Sequence, residues 1–301
     1  MKEIYNSQKT YGRKDASPKG AEHSFLFWLI LPVLLVWFSF SYVLGFIREK
    51  PLWTPSENPQ SPAANIPPYI AAYEPVSVSK SQGFITLWFD DAWSSQYFNA
   101  YPELKSLGYP GVVAVPTASI EKPNYMNWAQ LRVLQNEGWE ITDHGQVHDC
   151  QMQNWDSTKV IQEYKNSKLT LWKNKLSADI FVTPCGVDSD LMRDEARRYF
   201  LGYRTVNPGF NDLSNLDFYD LKVKNIDQEV SFETIEEWID YAKETKSWLI
   251  LVFHRIEEKS SGEVDDNYNT PLNDFKGILE YIKSAGITVV VPSQILALTI
   301  I

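Results

Sequence analysis

From residue 84 onward, short runs that are apolar on both faces alternate with longer amphipathic stretches. The runs are 84–89, 111–115, 140–142, 180–183, 203–206, 248–253 and 288–291. Helical patterns fall between them at 97–107, 128–136, 158–175, 191–200, 232–245 and 272–284, several followed by glycine (Gly108, Gly138, Gly202, Gly286) as helix ends prefer. A strand that is apolar on both faces must be covered on both faces, which predicts a parallel sheet with helices outside it. About seven such units favour a closed or nearly closed (β/α) barrel over an open sheet. Chemistry in that architecture belongs at the C-terminal ends of the strands.

The first run ends in a pair that needs explaining. "GFITLWFDDAWSS" closes an apolar strand with Asp90 and Asp91, and an unpaired carboxylate is costly to bury. A solvated turn would explain the pair equally well. A second strand end carries "WEITDHGQVHDC", with His144 and His148 four apart. On one helical turn that spacing brings two imidazoles to one side, about 5–6 Å apart at Cβ, where one cation can take both. Asp91 would complete a two-histidine, one-carboxylate set with a position left for water. Zinc in such a site lowers the water pKa to about 7. His254 closes the run "SWLILVFH"; alone it reads as readily as a core or surface residue. His23 lies far upstream, so every histidine of the compact region falls at a strand C-terminus.

The chain before residue 82 is different material. Residues 25–47 form an uncharged stretch of 23 residues, long enough to span a bilayer as a helix. Lys2, Lys9, Arg13, Lys14 and Lys19 precede it, whereas only Arg48 and Lys50 follow closely, a bias that places the N-terminus in the cytoplasm. The reading is a cytoplasmic tail at 1–24, an uncleaved anchor at 25–47, and a proline-rich spacer at 48–81 leading to an extracytoplasmic domain at 82–301. The alternative for the apolar stretch is a cleaved signal peptide. A formal net charge of −10 argues against a nucleic-acid partner, which requires clustered Lys and Arg. The chain has 11 tryptophans, some of which must be core, and Trp88, Trp93, Trp128 and Trp155 can be read either as core or as a sugar-binding groove.

From Gly83 on, the sequence resembles the polysaccharide deacetylases of the NodB-homology type, carbohydrate esterase family 4. "FDDAWSSQY" is similar to the first motif of that family, "HGQVH" to the second, "FVTPCG" to the third and "LILVFH" to the last. The resemblance implies a distorted (β/α) barrel and removal of acetyl groups from an N-acetylated polysaccharide, with zinc or another divalent metal such as cobalt or nickel. It implies Asp91, His144 and His148 as metal ligands and Asp90 as general base. It further implies His254 as general acid and the backbone N–H of Cys185 as an oxyanion donor. One Asp is then neutralised by a dication, and the other takes a proton from the attacking water. Other readings are an O-deacetylase or small-amide hydrolase, and a catalytically dead barrel that binds glycan.

Three positions depart from the family pattern. Gly145 stands where a loop-bracing hydroxyl is usual, Val182 where an arginine often holds the base, and Ala92 where glycine often follows the Asp pair. The resemblance also brings Cys150 and Cys185, the only cysteines, to one barrel mouth. A disulfide and two unrelated small residues both remain open there.

Overall fold

The computed structural model describes residues 81–258 and 266–299. The tail at 1–24, the apolar stretch at 25–47 and all but the last residue of the 48–81 spacer lie outside the described residues. Among the described residues no helix is long and apolar enough to cross a membrane.

Seven parallel strands form a ring: β1 (Phe84–Phe89), β2 (Val112–Val115), β3 (Glu140–Asp143), β4 (Ala178–Val182), β5 (Gly202–Pro208), β6 (Leu221–Asn225) and β7 (Trp248–Phe253). The ring closes because β1 pairs with β7 along all six residues and also with β2. The β2 pairing uses only Trp88 and Phe89; Phe84 and Ile85 pair instead with the short strand β10 (Thr288–Val289). The barrel is therefore wedged open at one end, which is its distortion. A separate small sheet joins β8 (Arg255–Ile256) to β9 (Asn269–Thr270).

The helices are α1 (Tyr101–Leu107), α2 (Trp128–Asn136), α3 (Ser157–Lys173), α4 (Asp190–Ala196), α5 (Phe232–Thr245), α6 (Leu272–Ala285) and α7 (Pro292–Thr299). A single turn of π-helix, Gln96–Ala100, leads into α1. Local chemistry sets their ends. Asn127 and Gln130 form a reciprocal capping box at α2, Asp156, Ser189 and Ser231 cap α3, α4 and α5, and Gly108 and Gly286 end α1 and α6 in the left-handed conformation.

Alternation along each strand sorts side chains into two layers. Phe84 and Trp88 pack with Ile180, Val182, Ile250 and Val252 inside the ring. Ile85, Leu87 and Phe89 pack outward with helical Leu104, Leu131, Ile239 and Phe275. Thr86 is the polar member of the inward row of β1, and it is satisfied: it donates to the Val290 carbonyl at 2.7 Å and accepts from the Trp248 indole at 2.9 Å.

Several elements differ from expectation: β8, β9 and α7 had no counterpart in the sequence reading. Strand β6 was not anticipated because "LKVKN" alternates with lysines and reads as half-exposed. The helix expected at 191–200 stops at Ala196, and Gly202 begins β5 instead of closing that helix.

Candidate metal centre and active site

The two-residue alternation decides where Asp90 and His254 point. Asp90 lies two residues beyond interior Trp88, and His254 two beyond interior Val252, so both continue the inward row at the C-terminal mouth of the ring. Gln96 ties the two strand ends together. Its Nε2 donates to the Asp90 carbonyl at 2.5 Å and to the His254 carbonyl at 2.8 Å.

Asp91, His144 and His148 converge at the same mouth. Asp91 Oδ1 lies 3.4 Å from His144 Nε2 and 3.2 Å from His148 Nε2, and the three donor atoms all lie within 4.8 Å of one another. His144 Nδ1 stands 2.9 Å from the Val182 carbonyl, to which it donates, so that Nε2 faces Asp91. The indole N–H of Trp93 donates to Asp91 Oδ2 at 3.1 Å and so aims Oδ1 at the imidazoles. One oxygen and two nitrogens in this arrangement fit a zinc-like cation with an open position. Burial would raise the Asp91 pKa, but the hydrogen bond to His144 and the charges of His144, His254 and His148 hold it well below the usual carboxylate range. Burial, followed by the charge of His144, pushes His148 down.

The histidines do not share a helical turn, as their spacing had suggested. They sit on an irregular loop bent by positive φ at Gly145 (77°) and His148 (50°). Asp91, Ala92 and Cys185 also adopt positive φ, at 74°, 57° and 52°. Each such non-glycine residue costs on the order of 1–2 kcal/mol, so the site concentrates backbone strain. At Ala92 the conformation accounts for glycine being the more usual residue there.

Asp90 is buried, and its counter-charge was missed by sequence reasoning. The Arg204 guanidinium, fully buried on β5, places Nη2 2.5 Å from Asp90 Oδ1 and 2.6 Å from Oδ2. Its flat face lies 4.9 Å from the Trp88 ring. The available signal was a lone charge in the middle of the apolar run "GYRTV", which burial forbids without a partner. Gln96 and Glu163 were missed too; each acts through contacts between segments distant in the chain.

Cys150 and Cys185 are joined by a disulfide, with Cα atoms 5.3 Å apart, which resolves the question the sequence left open. Cys185 Sγ stands 4.0 Å from His148 Nδ1. Asp90, Asp91, His144, His148, Cys185 and His254 line one open cleft of about 290 Å³ together with Thr183, Asn225 and Tyr268. The Tyr268 ring lies against His254, centroids 4.8 Å apart and planes tilted by 40°. Of the four tryptophans considered for a sugar groove, only Trp93 lines the cleft; Trp88 is barrel core, Trp128 opens α2 and packs against the outer core, and Trp155 carries Lys159 over its ring.

Residues 77–206 match the family described as polysaccharide deacetylase. Among solved structures the chain is similar to the Xyl-CE4 domain of a multidomain xylanase from the hindgut metagenome of Trinervitermes trinervoides. The TM-score is 0.52 at 15% identity, over 73% of this chain and 92% of that one. A T48 deacetylase with substrate gives 0.51 at 17% identity, over 73% of this chain and 94% of that one. A mutant carbohydrate esterase family 4 pseudoenzyme with restored enzymatic activity gives 0.50 at 12% identity, over 70% and 66%. At these identities the likeness concerns the fold alone. No curated protein matches the chain.

Proposed function

We propose that the chain, whose residues 77–206 match the polysaccharide deacetylase family, is a hydrolase of carbon–nitrogen bonds that removes acetyl groups from an N-acetylated polysaccharide outside the cytoplasm. The observation that carries this reading is the cleft itself. Three clustered donors (Asp91, His144, His148) share it with a buried carboxylate, Asp90, and an imidazole, His254.

In this reading Asp91, His144 and His148 hold a divalent cation, with zinc the first expectation and cobalt or nickel the alternatives. When bound, the cation supplies a Lewis acid and makes water nucleophilic at neutral pH. Asp90, oriented by Arg204, takes the proton from the attacking water. His254, whose Nδ1 finds no partner among the described residues, gives a proton to the departing amine. The Cys185 N–H, presented by a left-handed backbone and tethered through the disulfide, steadies the carbonyl oxygen as it gains charge.

The test is acetate release from N-acetylated oligosaccharides by the purified domain, metal-loaded and metal-stripped, with metal content measured alongside. About one ion per chain and release that stops on chelation are expected, and His144→Ala with His148→Ala should abolish both. Retention of glycan without release would instead favour a binding protein. Release from O-acetylated esters alone would make it an O-deacetylase.

The extracytoplasmic part rests on the uncharged stretch at 25–47, with its excess of cations upstream, and on the disulfide, which suits an oxidising compartment. Protease added to intact cells should release the domain through the 48–81 spacer while residues 1–24 stay protected. An accessible N-terminus would reverse the orientation.

A further inference from the structure

The loop from His144 to His148 carries two of the three donors, yet neither strand nor helix holds it. Its three central amides are instead received by two buried carboxylates. The Gly145 N–H donates to Asp143 Oδ1 at 2.9 Å, and those of Gln146 and Val147 both donate to Glu163 Oε1, at 2.5 and 2.9 Å. Glu163 is 7% exposed on α3. One turn further along that helix, Ser167 donates to the other Asp143 oxygen at 2.8 Å. A single helix face therefore grips the loop at both points.

We infer that Glu163 is a positioning residue for the metal centre: its carboxylate fixes the loop so that His144 and His148 face one cation, and thereby sets the affinity for that cation. Amide hydrogen bonds to a carboxylate are charge-assisted and stronger than neutral ones. A buried carboxylate without such donors would be costly, so loop and helix hold each other in place. With the loop already ordered, the cation need not supply the free energy of ordering it. Gly145 makes room for the arrangement, since a Cβ there would stand 3.0 Å from Glu163 Oε1, at a backbone φ of +77°.

The inference rests on Asp91, His144 and His148 being the ligands, and the experiment separates the two claims. Zinc affinity is measured by competition with a chromophoric chelator for wild type, Glu163→Ala and Glu163→Gln, with the absorption spectrum of the cobalt-loaded forms. Glutamine keeps an acceptor oxygen but not its charge, and should fall between wild type and alanine in affinity while keeping the wild-type spectrum. Alanine should lose about 10–100-fold in affinity, as removal of outer-shell partners does, and change the cobalt bands. Equal affinity in wild type and Glu163→Ala would overturn the inference. If the alanine variant does not fold, Glu163→Asp, which withdraws the carboxylate by one methylene, must show the same loss. Amide exchange in the metal-stripped wild type needs no variant: Gln146 and Val147 should be protected, and exchange at open-loop rates would sink the proposal. Wild type that binds no divalent ion would defeat the ligand assignment and leave the amide measurement to judge the brace.

Discussion

Val182 and Arg204 are register partners on β4 and β5, and both side chains face the barrel interior beneath Asp90. Val182 stands where the family pattern often has an arginine, yet the guanidinium is present one strand over. Removing one member of a buried ion pair costs roughly 3–5 kcal/mol because the other charge is left uncompensated. Arg204→Val should therefore lower the melting temperature and release Asp90 from its orientation, reducing kcat about 10²-fold with metal content unchanged. Val182→Arg combined with Arg204→Val keeps the composition of the pair and moves the guanidinium to the neighbouring strand. Acetate release by this double variant should recover most of the loss. A folded, metal-loaded double variant as slow as the single one would show that the β5 position itself is required.

Asp90→Asn should bind metal like wild type, because Asp90 is not among the clustered donors. Its turnover should fall by about 10²–10⁴, the usual value of a positioned proton acceptor. Metal analysis and kinetics on one preparation check both halves. Lost metal with retained turnover would exchange the roles assigned to Asp90 and Asp91.

The disulfide closes a loop of 35 residues that contains α3 and its Glu163. The chain-entropy relation gives about 3–4 kcal/mol for a loop of that size. Cys150→Ser with Cys185→Ser, or reduction of the wild type, should lower the unfolding midpoint by on the order of 10 °C. Zinc affinity should fall as well, since His148 lies beside the bridge. Scanning calorimetry with and without reductant tests the first expectation, and a midpoint that does not move would refute it.

Glu140 provides a pH dependence far from the chemistry, in a small cavity at the opposite end of the ring. Burial raises its carboxyl from 4.5 to about 7, against a hydrogen bond from the Ser293 amide. Between those values the folded state keeps a proton that the unfolded chain has already lost. The contribution to stability is thus full below about 4.5 and declines as pH rises through 7. Glu140→Gln should remove this decline, so wild type minus variant stability should drop by about 1–3 kcal/mol from pH 4.5 to 7.5. Denaturant titrations at both pH values measure it, and parallel curves would show that the group titrates normally.

Strands β1 and β7, helices α2 and α5, and the placement of Asp90, Asp91 and His254 at strand ends were legible in the sequence. Each depends on periodicity and capping signals carried within about ten consecutive residues. The donor trio was legible as residue types, although the loop path that brings His144 and His148 together was not. What only the tertiary structure decided lies in contacts between distant segments: Arg204 on Asp90 across 114 positions, Gln96 on His254 across 158, and Glu163 under a loop 16 and 17 residues upstream. Which charge answers a buried carboxylate depends on which strands become neighbours and in what register. That register is fixed when β1 pairs with β7 to close the ring, and no stretch of the chain contains it alone.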